Sequence, residues 1–171
     1  MATPLDESKT AFQMGLMTSE IIQDKHFELN YSSWMWINLA FLAGGISLLF
    51  NKIIQWQIPF SVLLSMGLTA SVLYFYDDQI YLSASSHWLL GATMLGAFFI
   101  ATDPVTASTT TKGRIIYGAL IGFFIIIIRT FGGYPDAVAF SVLLINIAVP
   151  TIDHYTKPRT YGHQLLEEND V

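Results

Sequence analysis

The 171-residue chain contains no cysteine. That absence excludes a disulfide framework, thiolate metal sites and an iron–sulfur cluster held by this chain. Charge is scarce as well. Asp, Glu, Lys and Arg make up 12% of the residues, about half the share of roughly 25% found in soluble domains. With 53% hydrophobic residues, such a chain is expected in a membrane. The first thirty residues lack an apolar run long enough for a signal peptide. The net charge of −5 sits largely in the tails, with five acids in residues 1–30 and three in 167–170. That distribution argues against nucleic acid or an anionic lipid surface as partner.

What is present is long apolar sequence. A polar opening comes first, in which Phe12, Leu16, Ile21 and Ile22 lie among Glu20, Asp24, Lys25 and Glu28. This predicts a short surface helix over 10–23. Five apolar stretches follow. Residues 31–50 enter through Tyr31, Trp34 and Trp36, an aromatic belt. Residues 59–76 end in Tyr74, Tyr76, Asp77 and Asp78. The stretch 86–102 is short against the roughly 20 residues a crossing needs. It holds Gly91 and Gly96, which predicts close helix packing or a half-helix. Residues 113–131 have an aliphatic centre, and 134–153 open at Pro135 and close near Pro150. The expectation is an all-α integral membrane protein with a five-helix transmembrane bundle over 31–155. A segment 1–30 precedes it and a tail 156–171 follows. The loops are too short for a soluble catalytic domain.

Five crossings place Lys52, Lys112, Arg114, Lys157 and Arg159 on one side, and Lys9, Lys25 and Arg129 on the other. The positive-inside bias makes the first side cytoplasmic, leaving the N-terminus outside. An odd number of spans and the polar opening at Met1 predict half of a larger arrangement, because many transporter-type folds pair two related bundles around a site. No internal repeat is present within the chain.

Several polar residues interrupt the apolar runs. Asp103 precedes Pro104, and proline disfavours helical geometry at the residue before it. A carboxylate at such a break, with Thr102, Thr106 and Ser108 nearby, offers oxygens to Na⁺ or a proton. Alternatively, Asp103 caps a helix in an interfacial loop. Arg129 closes the Ile-rich stretch and either snorkels to the interface or pairs with Asp136 or a buried anionic group. Asp136 is expected first as a partner of the helix dipole and second as an ion ligand. Asn146 is expected to hydrogen-bond across a helix pair, and Asp153 to cap its helix in solvent beside His154. His26, His87 and His163 lack metal-ligand spacing. The Gly91-Ala92-Thr93 and Gly118/Gly122 sets are small-residue faces, where packing outweighs cofactor contact.

Three segments carry a family resemblance: SSHWLLGATMLGAFFIATDPVTASTT, KGRIIYGALIGFFIIIIRTFGGYPDAVAFSVLL and NIAVPTIDHYTKPRTYGH. They resemble the C-terminal half of the RnfD component of the Rnf electron-transport complex, called Rsx in many gammaproteobacteria. NqrB, from the sodium-pumping quinone reductase, is a relative with a similar TDPV(T/S)AS motif. The resemblance runs from Ala2 to about His163. It implies the second half of a two-repeat, ten-helix fold in the bacterial inner membrane, with a periplasmic N-terminus and a cytoplasmic C-terminus. It also implies a flavin-carrying membrane subunit, not catalytic alone, in a complex that moves electrons between ferredoxin and NAD and couples them to Na⁺ or H⁺. In the Rsx version, the electrons keep a redox-sensing transcription factor reduced. The implied partners are the other complex subunits and membrane lipid.

The family carries FMN on a threonine, through a phosphoester, in an Asp-x-x-(Ser/Thr)-x-Ala-Thr-Pro-Leu type motif. Ala2-Thr3-Pro4-Leu5 match its end, so Thr3 aligns with the flavin-bearing residue. The motif's upstream Asp and Ser/Thr do not precede it here, and modification of Thr3 is expected to require them. The resemblance further implies a non-covalent riboflavin, to which no residue is assigned. Asp103, Thr106 and Asp136 are the candidate contacts for a coupling ion. Two other readings remain open on the residues alone: a stand-alone channel or carrier for an ion or small solute, and a nonfunctional gene fragment.

Overall fold

The computed structural model describes residues 3–134 and 136–157; Arg159 and His163 lie outside the described residues. No strand occurs among them. The opening forms two helices rather than one over 10–23: α1 (Pro4–Gln13) and α2 (Thr18–Gln23). They are separated where Gly15 takes a left-handed φ of 81°. Thr3 caps α1 by accepting a hydrogen bond from Asp6 N–H at 3.3 Å, with Pro4 in the first turn. Both choices are favoured at a helix start.

Among the described residues, four helices are long and apolar enough to cross a bilayer: α3 (Lys25–Phe50), α4 (Gln57–Tyr76), α7 (Thr111–Phe131) and α8 (Val138–Thr156). α3 begins six residues before the expected boundary at Tyr31, because Asp24 caps it by accepting from His26 N–H at 3.0 Å. α8 passes through Pro150 and runs on to Thr156, so the proline does not close it. A proline within a membrane helix is tolerated where neighbouring groups satisfy the freed backbone.

The third apolar stretch is not one helix. It comprises α5 (Ala84–Leu89), an extended link at Leu90, α6 (Thr93–Leu95) and a π-helical turn, Gly96–Ile100. Of the two expectations for this stretch, the half-helix describes it, and close packing holds too. A Cβ on Gly96 would collide with Val138, and one on Gly45 of α3 with Phe98.

Contacts at the helix ends define two ends of the bundle. At the first, Thr18 N–H and Oγ1 donate to Gln79 O at 3.0 and 2.8 Å, and Lys9 Nζ donates to the carbonyls of Arg129 and Tyr134 at 3.3 and 3.4 Å and to Gly132 O. Lys9 thus neutralises the negative end of the α7 dipole. Partial burial pushes its pKa below the ordinary value, with the Asp6 carboxylate pulling the other way. At the second end, Arg114 donates to Gln55, and Thr110 and Thr156 share a 2.6 Å hydroxyl contact.

The core lies among α4, α7, α8 and the π turn, built on Val62, Met66, Phe98, Tyr117, Ile121 and Val142. α4 and α7 approach backbone to backbone. A Cβ on Gly122 would strike Val62 O, and one on Gly118 would strike Ser61 Oγ. The small-residue face expected on α7 therefore serves packing. In a bilayer, where lipid is as apolar as leucine, such contact is what holds helices together.

Candidate functional site

The break between α5 and α6 is the focus of the buried polar groups. Leu90 takes an extended conformation, φ −108° and ψ 152°, and Gly91 a left-handed one, φ 66°. Glycine adopts that φ without Cβ strain. A Cβ at Gly91 would also lie 2.7 Å from Leu5 and 2.9 Å from Arg129 Nη2. Helical bonds lapse across the link, so several carbonyls and N–H groups need other partners in a region closed to water.

Asn38 of α3 supplies part of the answer. Its Nδ2 donates to Leu89 O and Gly91 O, each at 2.9 Å, and to Trp34 O at 3.1 Å. Its Oδ1 accepts from Met94 N–H at 3.2 Å. One buried amide thereby grips both sides of the break.

Arg129 supplies the rest from the last turn of α7. Its side chain is 2% exposed. Nη1 donates to His87 O at 2.9 Å. Nη2 donates to Thr93 Oγ1 at 2.9 Å and Asp136 Oδ1 at 3.1 Å, with Leu90 O at 3.5 Å. Thr93 Oγ1 in turn donates to the same carbonyls, His87 O at 2.9 Å and Leu90 O at 3.0 Å. Arg129 therefore pairs with Asp136 and does not snorkel. A buried arginine needs such pairing and hydrogen bonding to offset its desolvation.

Asp136 closes the arrangement. Its Oδ2 accepts from Ala92 N–H at 2.8 Å, and its Oδ1 accepts at 3.5 Å from Val138 N–H at the start of α8. The carboxylate thus joins the break, α7 and α8, and the expected helix-start role is its weakest contact.

Beside this cluster is a cavity of about 290 Å³, lined among others by Leu5, Lys9, Phe12, His87, Arg129 and Phe131. Leu5 of α1 packs with Leu82 and Leu90, and Leu5 and Leu82 line the cavity. His87 is buried, and its Nδ1 has no hydrogen-bond partner among the described residues. No cluster of His, Cys, Asp or Glu among the described residues could hold a metal ion. His26 instead faces Glu7 at 3.6 Å.

Asp103 and Thr106 are elsewhere, in the link before α7. Asp103 Oδ2 accepts from Thr106 N–H at 3.2 Å and from its Oγ1 at 2.9 Å, the geometry of a capping turn. Thr102 Oγ1 turns back to Phe98 O at 2.7 Å. Ser108 donates to Asp153, which also accepts from Thr109 N–H at 3.1 Å and Thr109 Oγ1 at 2.8 Å. Of the hydroxyls expected around Asp103, only Thr106 meets it, and Ser108 serves Asp153. Asp153 ties the link to α8 instead of standing free in solvent. Asn146 accepts from Tyr117 OH at 2.7 Å across α7 and α8, as expected.

The candidate ion contacts are thus divided. Asp136 precedes α8, while the Asp103 link is bound to Asp153 near its other end, roughly 25 Å along the helix at 1.5 Å per residue. Thr3 stands at the start of α1, its hydroxyl engaged as a cap.

Comparison with known proteins gives a consistent match. The model of the NQR2, RnfD, RnfE family matches residues 1–162. The chain is 54% identical over 165 residues to the D component of the ion-translocating oxidoreductase complex of Escherichia fergusonii and to that of Pectobacterium carotovorum. It is 53% identical to the same component of Klebsiella pneumoniae. Each alignment covers 95% of this chain and 47% of the relative, so the chain spans about half the length of the curated relatives it matches.

Proposed function

The chain belongs to the NQR2, RnfD, RnfE family, and on that premise we propose that it is a membrane subunit, or the corresponding part of one, of an Rnf-type complex coupling electron transfer between ferredoxin and NAD to Na⁺ or H⁺ movement. Its partners are the other subunits and membrane lipid. It sits in the bacterial inner membrane, with α1 periplasmic and the C-terminus cytoplasmic. It crosses five times, the broken α5–α6 segment making the third passage, and is not catalytic by itself.

The observation that carries this reading is the interrupted segment held by Asn38, Arg129 and Asp136. Non-helical backbone at membrane depth is tolerated where protein encloses it or where it lines a path for solute. A simple lipid anchor has no use for it.

FMN on Thr3 belongs to the same proposal. The Thr3 hydroxyl stands at the start of a ten-residue helix, where the positive dipole end favours a phosphate, although Pro4 brings no N–H and the Asp6 N–H is bonded to Thr3 itself. The fit is opposed in part by Asp6 and Glu7 in the same turn. Thr3 would hold the group through the phosphoester, and the flavin ring would supply the electron transfer. Within this chain, Lys9 and Leu5 fix α1 to the bundle and so set where Thr3 stands. A riboflavin held without a covalent bond is also proposed, with no residues assigned.

The test is Thr3→Ala in a full-length background carrying the whole motif. The expected result is loss of ultraviolet fluorescence from the protein band in a denaturing gel, with the subunit still assembled. Retained covalent fluorescence would refute the Thr3 assignment. Colourless protein that transports an ion alone would favour a stand-alone carrier.

A further inference from the structure

We infer that the oxygens around the Arg129 guanidinium form a monovalent-cation site in which Arg129 is a tethered occupant. The oxygens are His87 O, Leu90 O, Thr93 Oγ1 and Asp136 Oδ1. Two carbonyls, a hydroxyl and a carboxylate are the ligand types hard cations take.

The geometry suits a point charge better than a planar fork. Three of the four oxygens crowd Nη2, at 2.9, 3.1 and 3.5 Å. Among the described residues, Nη1 meets one and the buried Nε meets none. A guanidinium presents five N–H donors in a fixed plane, so a site shaped for it would distribute acceptors along that plane. Here, three of the four converge on one atom position.

Charge sets the valence. Among the described residues, Asp136 is the one acid paired with Arg129, so the site balances a single positive charge. A divalent ion would leave uncompensated charge in a medium where it is costly. The observed distances exceed the roughly 2.3–2.6 Å of oxygen around Ca²⁺, so a bare Na⁺ draws the oxygens inward, whereas a larger alkali ion fits them nearly as they stand.

Arg129 also has somewhere to go. It lines the cavity of about 290 Å³ alongside Lys9 and Phe12. A swing of its head into that space empties the oxygen set while Asn38 keeps the break in place. This deepens the ion-translocating reading and rests on that reading for its purpose, whereas the site itself is tested by binding alone.

The experiment uses Arg129→Ala in the full chain in membranes, heated in NaCl, LiCl, KCl or choline chloride at equal ionic strength. Soluble, folded protein is scored after detergent extraction. One or more alkali cations should raise the variant's midpoint saturably over choline, by roughly 5–10 °C at a hundredfold excess over Kd. Wild type should show no such difference, and Arg129→Ala/Asp136→Asn should lose it. If Arg129→Ala is not recovered, Arg129→Gln, which keeps an amide donor, takes the same titration. Equal midpoints in all four salts overturn the inference. So does a rise that survives in the double variant, or rescue by added guanidinium with none by alkali ions. Cation binding with no transport by the assembled complex would instead count against the function above.

Discussion

Replacing Asn38 with alanine deletes every contact its amide makes to the broken segment: Leu89 O, Gly91 O and Met94 N–H, at 2.9, 2.9 and 3.2 Å. Two magnitudes compete. A buried polar group left unpaired costs about 1–3 kcal/mol, so three reach roughly 3–9 kcal/mol if they add. Polar contacts between membrane helices average only about 0.6 kcal/mol, because the loosened chain finds other partners. At Asn38, that escape is blocked. The orphaned groups are backbone beside a left-handed glycine, and rewinding them into helix would expel Arg129 from His87 O and Leu90 O. The cost is therefore placed at about 3–5 kcal/mol, nearer the first scale. Asn146→Ala is the internal control, since among the described residues that side chain makes one hydrogen bond, accepting from Tyr117 OH at 2.7 Å, and should cost about 0.6–1 kcal/mol. Thermal unfolding in detergent should show Asn38→Ala lowered by roughly 6–20 °C and Asn146→Ala by no more than about 4 °C. A pair of equal shifts would refute the claim that Asn38 holds the break.

Other substitutions probe separate parts of the account. Gly91→Ala must place a Cβ at φ 66°, against Leu5 and Arg129, and should destabilise by about 2–4 kcal/mol in the same assay. Gly122→Leu drives α7 off the α4 backbone at Val62 O and should cost about 1–3 kcal/mol, with a matching loss of protein recovered from membranes. Asp103→Asn keeps an oxygen to accept from Thr106 and removes only the charge. In a full-length complex it should depress ion-coupled turnover more than flavin loading. Unchanged turnover with an unchanged Na⁺ response would leave Asp103 as a cap alone.

The long helices were legible because apolar length and aromatic edges are strong signals. Their ends were less so. Asp24 starts α3 early through a local cap, and α8 runs through Pro150, because a proline's effect depends on neighbours that a linear sequence does not display. The break was half legible. Gly91 and a short apolar run indicated an interruption, but its clamp was not visible. Asn38 carries the same signal as Asn146, a lone amide inside an apolar run, but its three backbone partners in the broken segment lie 51–56 residues away. Arg129 with Asp136 was readable as one of two alternatives, and tertiary burial decided between them. Ser108 lies nearer in sequence to the carboxylate of Asp103, whereas the fold brings it Asp153 from 45 residues away.

The interrupted segment runs from the end of the bundle at Gln79 to the opposite end at Thr110. Because the sequence has no cysteine, single substitutions can report it cleanly. Asp78→Cys and Thr106→Cys flank the segment at exposed positions. A membrane-impermeant maleimide applied to sealed, oriented vesicles should label the two from opposite sides, Asp78→Cys from the periplasmic face. Labelling of both from the same side would contradict the account.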